Sequence, residues 1–448
     1  MRVVASLKND GYGLYCGNVF DVLKKHDSNS VHCVITSPPY FGLRNYGTKL
    51  IVWGGDSSCN HSWADDGFCK ICNAWKGELG LEPTPSLYVE HLVKVFREVK
   101  RILREDGTLW LNLGDSYAGS VSRASSGGRA GYGTKREVVY NRISPGLKTK
   151  DLIGIPWRVA FALQADGWWL RSDCIWAKNN CMPSSIKDRP TVSHEYVFLL
   201  AKSSKYFYDS DAVREDNRDS YNGKRGTTKS RKKLQSSMRD FSSKDKMKQY
   251  ATNGRNKRTV WNINIQPFPD AHFAVFPESL VVPCIKAGTS EKGCCPKCGA
   301  PLKRVKIKKN KKMTGEEWKL TCKCRGIKNT NPCIVVDPFC GSGTTGVVAK
   351  KLGRFFIGID VLSEYVDMSD RRMKETEWGS YKEKPKLSQI AKLLTEIDGI
   401  GIKTAMAIDK YFNGKVGMIF RNPSLVKNIE GCGETTEDAI KKWVGLDI

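Results

Sequence analysis

Apolar and polar positions along this chain follow the two periods that folded proteins use. Residues 31–36 (VHCVIT) are a short apolar run that reads as a strand. From 87 to 103 the pattern is helical: Leu92, Val95, Phe96, Val99, Ile102 and Leu103 recur at the i, i+3, i+4, i+7 spacing with Leu87 ahead of them, and Pro83 and Pro85 stand before the run as start signals. REDGTLWLNLGD then reads as a turn at Asp106 and Gly107 followed by a buried strand over 107–113. Helix and strand signals resume in DLIGIPWRVAFALQADGWWLRSDCIWAK. CIVVDPFCGSGTTGVVAKKLGRFFIGID, starting at Cys333, passes from an apolar strand through a Gly-rich bend into a helix and ends in a second strand, a βαβ unit.

At 448 residues the chain exceeds one ordinary core, so one large α/β domain with insertions and at least one appendage is expected. No run of eighteen apolar residues occurs, and MRVVASLKNDGYG lacks the apolar region and cleavage site of a leader, so a soluble cytosolic protein is expected with no membrane partner. A formal net charge of +26 changes the picture more. It predicts a field that attracts polyanions, nucleic acid first among them, although a merely soluble basic surface would carry the same charge. Residues 221–258 hold thirteen Lys or Arg against two Asp or Glu, and residues 116–149, rich in Gly, Ser, Arg and Lys, read as a loop. Several of the sixteen cysteines stand in C-x-C or C-x-x-C spacing, which points to metal rather than disulfides.

In the βαβ unit, Gly341 and Gly343 let the backbone turn tightly and approach a ligand, and the following helix start offers N–H groups. Asp360, at the end of the second strand, can accept hydrogen bonds from ribose hydroxyls. The loop implies a nucleoside-bearing cofactor, and its spacing, neither G-x-G-x-x-G nor G-x-x-x-x-G-K-[ST], lowers the odds of NAD or ATP. TSPPY, residues 36–40, sets a hydroxyl, two prolines and a ring directly after a strand.

DPFCGSGTT and TSPPY together resemble motifs of the amino-methyltransferases of DNA that use S-adenosylmethionine. TSPPY precedes the glycine loop with a basic region between, an order that resembles the beta class, and the resemblance runs from about residue 12 to 373. It includes IWAKNNCMPSSIKDRPTVSHEYVFLLAKSSKYFYD and FAVFPESLVVPCIKAG. It implies a Rossmann-like fold, mostly parallel with one antiparallel strand, in circularly permuted order. It also implies that Asp337, Pro338, Phe339, Gly341, Gly343 and Thr344, with Thr36 nearby, surround the methionine part of the cofactor and that Asp360 holds its ribose. LYCGNVFDVL resembles the adenine-pocket segment, with Asn18 where Asp is frequent.

An exocyclic amine on a base is a poor nucleophile because its lone pair is delocalised into the ring. Acceptors on both amino hydrogens, assigned here to Ser37 Oγ and the Pro38 carbonyl, favour a tetrahedral nitrogen able to attack a sulfonium methyl. Pro38 and Pro39 have fixed φ and no N–H, so the corner keeps its carbonyls presented. Tyr40 offers a face for stacking on a base rotated out of the duplex, and Phe41 either assists or belongs to the core. No covalent intermediate is needed, so Cys340 reads as a small packed residue. Serine at the head of S-P-P-Y resembles the cytosine-N4 enzymes, whereas Asp is typical of adenine-N6 enzymes. Adenine-N6 methylation, a catalytically inactive DNA-binding protein and RNA as substrate are the rival readings.

CNHSWADDGFCKIC offers Cys59, His61, Cys69 and Cys72, and a second set combines Cys295, or its neighbour Cys294, with Cys298, Cys322 and Cys324. Four such ligands suit a tetrahedral, structural Zn²⁺ in a small insertion with little core of its own. From Leu387 onward, LLTEIDGIGIKTAMAI resembles a helix-hairpin-helix module in which Gly399 and Gly401, followed by Lys403 and Thr404, meet a DNA phosphate. LVKNIEGCGETTEDAI repeats the theme, with Glu434 and Glu437 making the copy less welcoming to phosphate. The expected layout is a catalytic half at 1–210 with a zinc insertion near 59–72, a basic target-recognition region at 211–260, a cofactor-binding half at 261–380 with a zinc ribbon near 294–324, and a helix-hairpin-helix domain at 386–448. The expected activity is methylation of double-stranded DNA at a specific site, with a cognate restriction endonuclease as a candidate partner.

Overall fold

The structure is a computed structural model that describes residues 2–43, 45–119, 121–122, 139–140, 146–215, 254–266, 275–309, 312–383, 394, 397, 399–412, 422–429 and 431–443. It divides into two compact units, residues 1–215 with 253–381 and residues 216–252 with 382–448. Most of the loop expected at 116–149 and most of the basic run at 221–258 lie outside the described residues.

The first unit is built on a sheet of nine strands among the described residues. In chain order its strands are β1 (Arg2–Ala5), β2 (Tyr12–Cys16), β3 (Val31–Thr36), β6 (Leu103–Leu113), β9 (Trp169–Ala177), β10 (His194–Ala201), β11 (Val260–Asn262), β14 (Ile334–Asp337) and β15 (Phe355–Asp360). The order across the sheet is β1-β2-β15-β14-β3-β6-β10-β9-β11, parallel from β2 to β6; β10 is antiparallel to β6 and β9, and β1 to β2, so two strands rather than the expected one run against the rest. Side chains alternate across it. Val34 and Val336 join one core with the helices Pro85–Ile102 and Ile155–Ala165, while Cys33, Ile35 and Val335 join a second with Glu278–Gly288 and Thr344–Lys351. Apolar runs buried on both faces are what a parallel sheet between two helical layers requires.

The helix expected at 87–103 starts two positions earlier, because Thr84 Oγ1 accepts from Leu87 N at 3.2 Å and Pro85 opens the first turn. The turn expected at Asp106 and Gly107 is instead an irregularity inside β6: Leu103 pairs with Val31 and Thr108 with Cys33, so residues 104–107 bulge between them. Arg104 Nε donating to Asp106 Oδ1 at 2.8 Å closes that bulge. Small hairpins β4–β5 (Ile51–Trp53 and Trp75–Gly77) and β12–β13 (Leu302–Lys309 and Lys312–Leu320) carry the cysteine-rich insertions, and β7 (Val121–Ser122) pairs with β8 (Val139–Tyr140). No helix among the described residues is long and apolar enough to cross a membrane.

In the second unit the helices Ile402–Phe412 and Glu434–Trp443 share a core of Leu394, Ile397, Ile400, Ala405, Ile408, Val426, Ile429 and Ile440. The same turn precedes both: Ile400 N donates to Ile397 O at 3.1 Å and Cys432 N to Ile429 O at 3.0 Å. Gly399 and Gly431 occupy the left-handed region there, with φ of 86° and 83°.

Candidate active site and metal-ligand clusters

β3 and β14 are parallel neighbours, so the two loops that leave their C-terminal ends emerge side by side. Thr36 and Asp337 stand 301 positions apart in the chain, yet Thr36 Oγ1 donates to Asp337 Oδ1 at 2.7 Å. Thr345 Oγ1 donates to the other carboxylate oxygen at 2.7 Å, and Phe339 N to Oδ1 at 3.1 Å. Burial pushes the Asp337 carboxyl up to about 6 against those hydrogen bonds. Asp337 therefore ties the strand ends and the glycine bend into one rigid unit. Across the bend, Gly341 N donates to Asp360 Oδ2 at 2.9 Å and Leu362 N to Oδ1 at 3.0 Å. Surrounding protein pushes Asp360 as well up to about 6, with those N–H groups opposing it. Gly343, at φ 80°, has no room for a side chain: a Cβ there would stand 2.1 Å from Ser369 Oγ.

The loops bound a cavity of about 500 Å³. Gly17, Asn18, Pro338, Phe339, Gly341, Thr344, Asp360 and Tyr365 line one end, and Ser37, Pro38, Pro39, Tyr40, Asn112, Trp176, Lys178 and Glu195 the other. Ile51 and Trp53, from the first cysteine-rich insertion, form part of its wall. Thr36, Asp337 and Gly343 do not line it. They stand behind the lining, where they hold the loops. Asn18 lines the cavity and also caps the helix Val19–Leu23, its Oδ1 accepting from Phe20 N at 2.8 Å.

At the proline corner, Tyr88 OH donates to the Pro39 carbonyl at 2.7 Å. Phe41 is buried against Tyr88 with ring centroids 5.6 Å apart, so it belongs to the core. Cys340 is buried and its thiol is pushed well above the ordinary range by that burial, as a packed residue would be. The Tyr40 hydroxyl, besides its ring, is engaged: it lies 3.1 Å from Ser37 Oγ, 2.8 Å from Glu195 Oε2 and 3.2 Å from Asn112 Oδ1. Sequence reasoning missed Asn112, Lys178 and Glu195. Their signal was a polar or charged residue inside or at the end of an otherwise apolar strand, in LWLNL, IWAK and HEYVFLLA.

Residues 31–300 and 302–371 match the N6_N4_Mtase family, described as DNA methylase. Type II methyltransferase M.Cfr9I of Citrobacter freundii is 37% identical over 375 residues, covering 82% of this chain and 89% of its own length. Type II methyltransferase M.SmaI of Serratia marcescens is 36% identical over 363 residues, 80% of this chain and 89% of its own. The chain belongs to the N6/N4 DNA methylase family. Among solved structures, PvuII DNA methyltransferase (cytosine-N4-specific) aligns with 91% of this chain and 96% of its own at 16% identity and a TM-score of 0.45. By its family match the chain is a methyltransferase with DNA as its substrate, and the cavity joins the loops at Ser37–Tyr40 and Pro338–Gly341, both inside the matched residues.

Two groups of four side chains able to ligate a metal stand apart from the methyltransferase's cavity lining. Cys59, His61, Cys69 and Cys72 bring four ligand atoms within 4.8 Å of one another, as do Cys295, Cys298, Cys322 and Cys324. The Cys59 and Cys69 sulfurs are 3.9 Å apart, too far for a disulfide and close to the ~3.8 Å that two Zn–S bonds of about 2.3 Å subtend in a tetrahedron. Ile71 N lies 3.4 Å from Cys69 Sγ, the N–H to sulfur contact that stabilises a bound thiolate. Gly55 must be glycine, since a Cβ there would meet Cys72 Sγ at 2.8 Å. In the second group the structure gathers Cys295, and Cys294 turns away to lie within 4.8 Å of His32 and Cys333. Both His32 nitrogens are occupied there, Nε2 by Gly299 O at 2.8 Å and Nδ1 by Ile334 N at 3.0 Å.

In the second unit Gly399, Gly401 and Lys403 are exposed and Thr404 is half-buried, on one turn and the helix start that follows it. In the repeat, Glu437 is buried, pairs with Lys427 at 2.9 Å and Lys441 at 2.8 Å, and accepts from Ser424 Oγ at 2.8 Å.

Proposed function

We propose that this DNA methyltransferase transfers a methyl group from S-adenosylmethionine to the N4 amine of a cytosine rotated out of the duplex, within a short recognition sequence. The observation that carries this reading is the one cavity bounded by the Ser37–Tyr40 corner at one end and by Pro338–Gly341 and Asp360 at the other. Asp360, anchored by two N–H groups, accepts from ribose hydroxyls, Asn18 borders the adenine, and Phe339, Gly341 and Thr344 border the methionine part. The bound substrate supplies an electrophilic methyl on sulfur. At the other end Ser37 Oγ and the Pro38 carbonyl accept the amino hydrogens, and the Tyr40 ring borders the base. Such positioning of two reactants is worth about 7–11 kcal/mol of barrier. Serine rather than aspartate at the head of the proline corner supports cytosine-N4 over adenine-N6.

The two four-ligand groups fit structural zinc by donor type, number and spacing, and each site is closed by four protein ligands, leaving no position for catalytic water. Residues 399–404 of the terminal unit grip a DNA phosphate without regard to sequence. Base readout falls to the basic stretch within 211–260, and a cognate restriction endonuclease is the functional partner this reading implies. Incubating the protein with duplex DNA and methyl-labelled S-adenosylmethionine tests it: label should enter DNA, and a chain that binds both substrates without transferring label overturns it.

A further inference from the structure

Ser37 can accept an amino hydrogen only if its own hydrogen points elsewhere, and the surrounding residues fix where it points. Glu195, from the start of β10, is an acceptor alone when ionised. Lys178, at the end of the neighbouring antiparallel strand β9, pairs with its Oε1, and both side chains are 17% exposed. Asn112 Nδ2 donates to its Oε2 at 3.1 Å and to Tyr196 O at 3.1 Å, which fixes the amide so that its oxygen faces Tyr40. The single Tyr40 hydrogen goes to the shorter, charged acceptor, Glu195 Oε2 at 2.8 Å rather than Asn112 Oδ1 at 3.2 Å. The phenol oxygen then offers only lone pairs to Ser37, 3.1 Å away. Ser37 must donate to Tyr40, and its remaining lone pairs are left for the substrate.

We propose that Glu195 is the positioning residue of this methyltransferase: through Tyr40 it sets Ser37 as a hydrogen-bond acceptor and receives the proton released by methyl transfer. This rests on the reading that Ser37 accepts from the base amine. The nitrogen lone pair forms the N–C bond, the C–S bond breaks with its electron pair left on sulfur, and the nitrogen is left with one proton in excess. That proton passes to Ser37 Oγ as the Ser37 proton passes to the Tyr40 oxygen and the Tyr40 proton to Glu195. A neutral amine, a sulfonium and a carboxylate become a neutral methylamine, a neutral thioether and a carboxylic acid, so charge and atoms balance. Glu78, which also lines the cavity, accepts from Tyr46 N at 2.8 Å and Thr48 N at 3.0 Å, and Asp360 and Asp337 are held by backbone N–H groups and threonine hydroxyls, so none of the three takes part in this chain.

The test is single-turnover methyl transfer by Glu195→Gln, Tyr40→Phe, their double variant and Ser37→Ala, with dissociation constants for duplex DNA and S-adenosylmethionine measured on each. Each single variant should slow transfer about 100-fold, at the low end of general acid–base contributions, with both dissociation constants within twofold of the parent. The double variant should be no slower than the slower single one, because one chain broken twice is still one broken chain. Glu195→Asp should recover part of the rate. Losses that multiply in the double variant, a Glu195→Gln enzyme that transfers at the parent rate, or a loss confined to binding each overturn the relay. If Ser37→Ala is slow while Glu195→Gln and Tyr40→Phe are not, the relay alone fails. If Ser37→Ala transfers at the parent rate, the underlying reading fails with it.

Discussion

Asp360 carries two pH dependences of opposite sign, one on stability and one on binding. Surrounding protein raises its carboxyl from an ordinary 3.8 to about 6. A carboxyl raised in the folded state contributes stability that is full below 3.8 and lost as the pH rises through about 6. Between pH 7 and pH 5 the unliganded fold should therefore gain about 1.3 kcal/mol from this one group. Binding runs the other way. Ribose hydroxyls and a sulfonium favour the ionised carboxylate, so apparent affinity for S-adenosylmethionine should be flat above pH 7 and about tenfold weaker at pH 5. Titration calorimetry across that range, alongside urea denaturation of the unliganded protein, measures both trends. Asp360→Asn separates this group from Asp337, which is raised to about 6 as well but does not line the cavity. The variant should bind about ten- to hundredfold more weakly at pH 7.5, the cost of losing hydrogen bonds to a charge, and should lose the pH dependence of binding. Affinity that stays flat to pH 5 in the parent, or an Asp360→Asn variant that keeps the parent profile, would refute the role assigned to this carboxylate.

Ser37→Ala should lower turnover about 10²–10³-fold with the melting temperature and the affinity for S-adenosylmethionine unchanged, as loss of one oriented hydrogen-bonding group does; unchanged turnover counts against the assignment. Gly343→Ala would place a Cβ 2.1 Å from Ser369 Oγ at a φ of 80°. It should cost at least about 2 kcal/mol, read as a lowered melting temperature, and an unshifted transition would contradict the packing described for the bend. Elemental analysis should find two zinc ions per chain, falling to one in Cys69→Ser, whereas metal-free protein with a parent-like fold would dismiss the zinc reading.

What was legible in the sequence was what lies close together along it. TSPPY and DPFCGSGTT each carry their geometry locally, a proline corner after an apolar strand and a glycine bend before a helix, and the βαβ order follows from periodicity. The knuckle cysteines are legible for the same reason. What stayed hidden comes from pairing between distant strands. Asn112 and Glu195 meet Tyr40, and Lys178 meets Glu195, only because β10 runs antiparallel between β6 and β9, and nothing local in IWAK or HEYVF marks that register. Asp337 stood in a recognised motif, yet its bracing of Thr36 became visible only once β14 lay beside β3. The choice between Cys294 and Cys295 likewise turned on which way a backbone bend points each thiol.

On the proposed reading the cleft methylates an exocyclic amine of DNA, and with serine at its corner the amine belongs to cytosine. Mass spectrometry of nucleosides from DNA treated with the protein and S-adenosylmethionine tests it most directly. N4-methylcytosine should appear, and should form about 10²–10³-fold more slowly with Ser37→Ala. Appearance of N6-methyladenine alone would contradict the choice of base, and unmodified nucleosides from DNA that the protein demonstrably binds would contradict the claim as a whole.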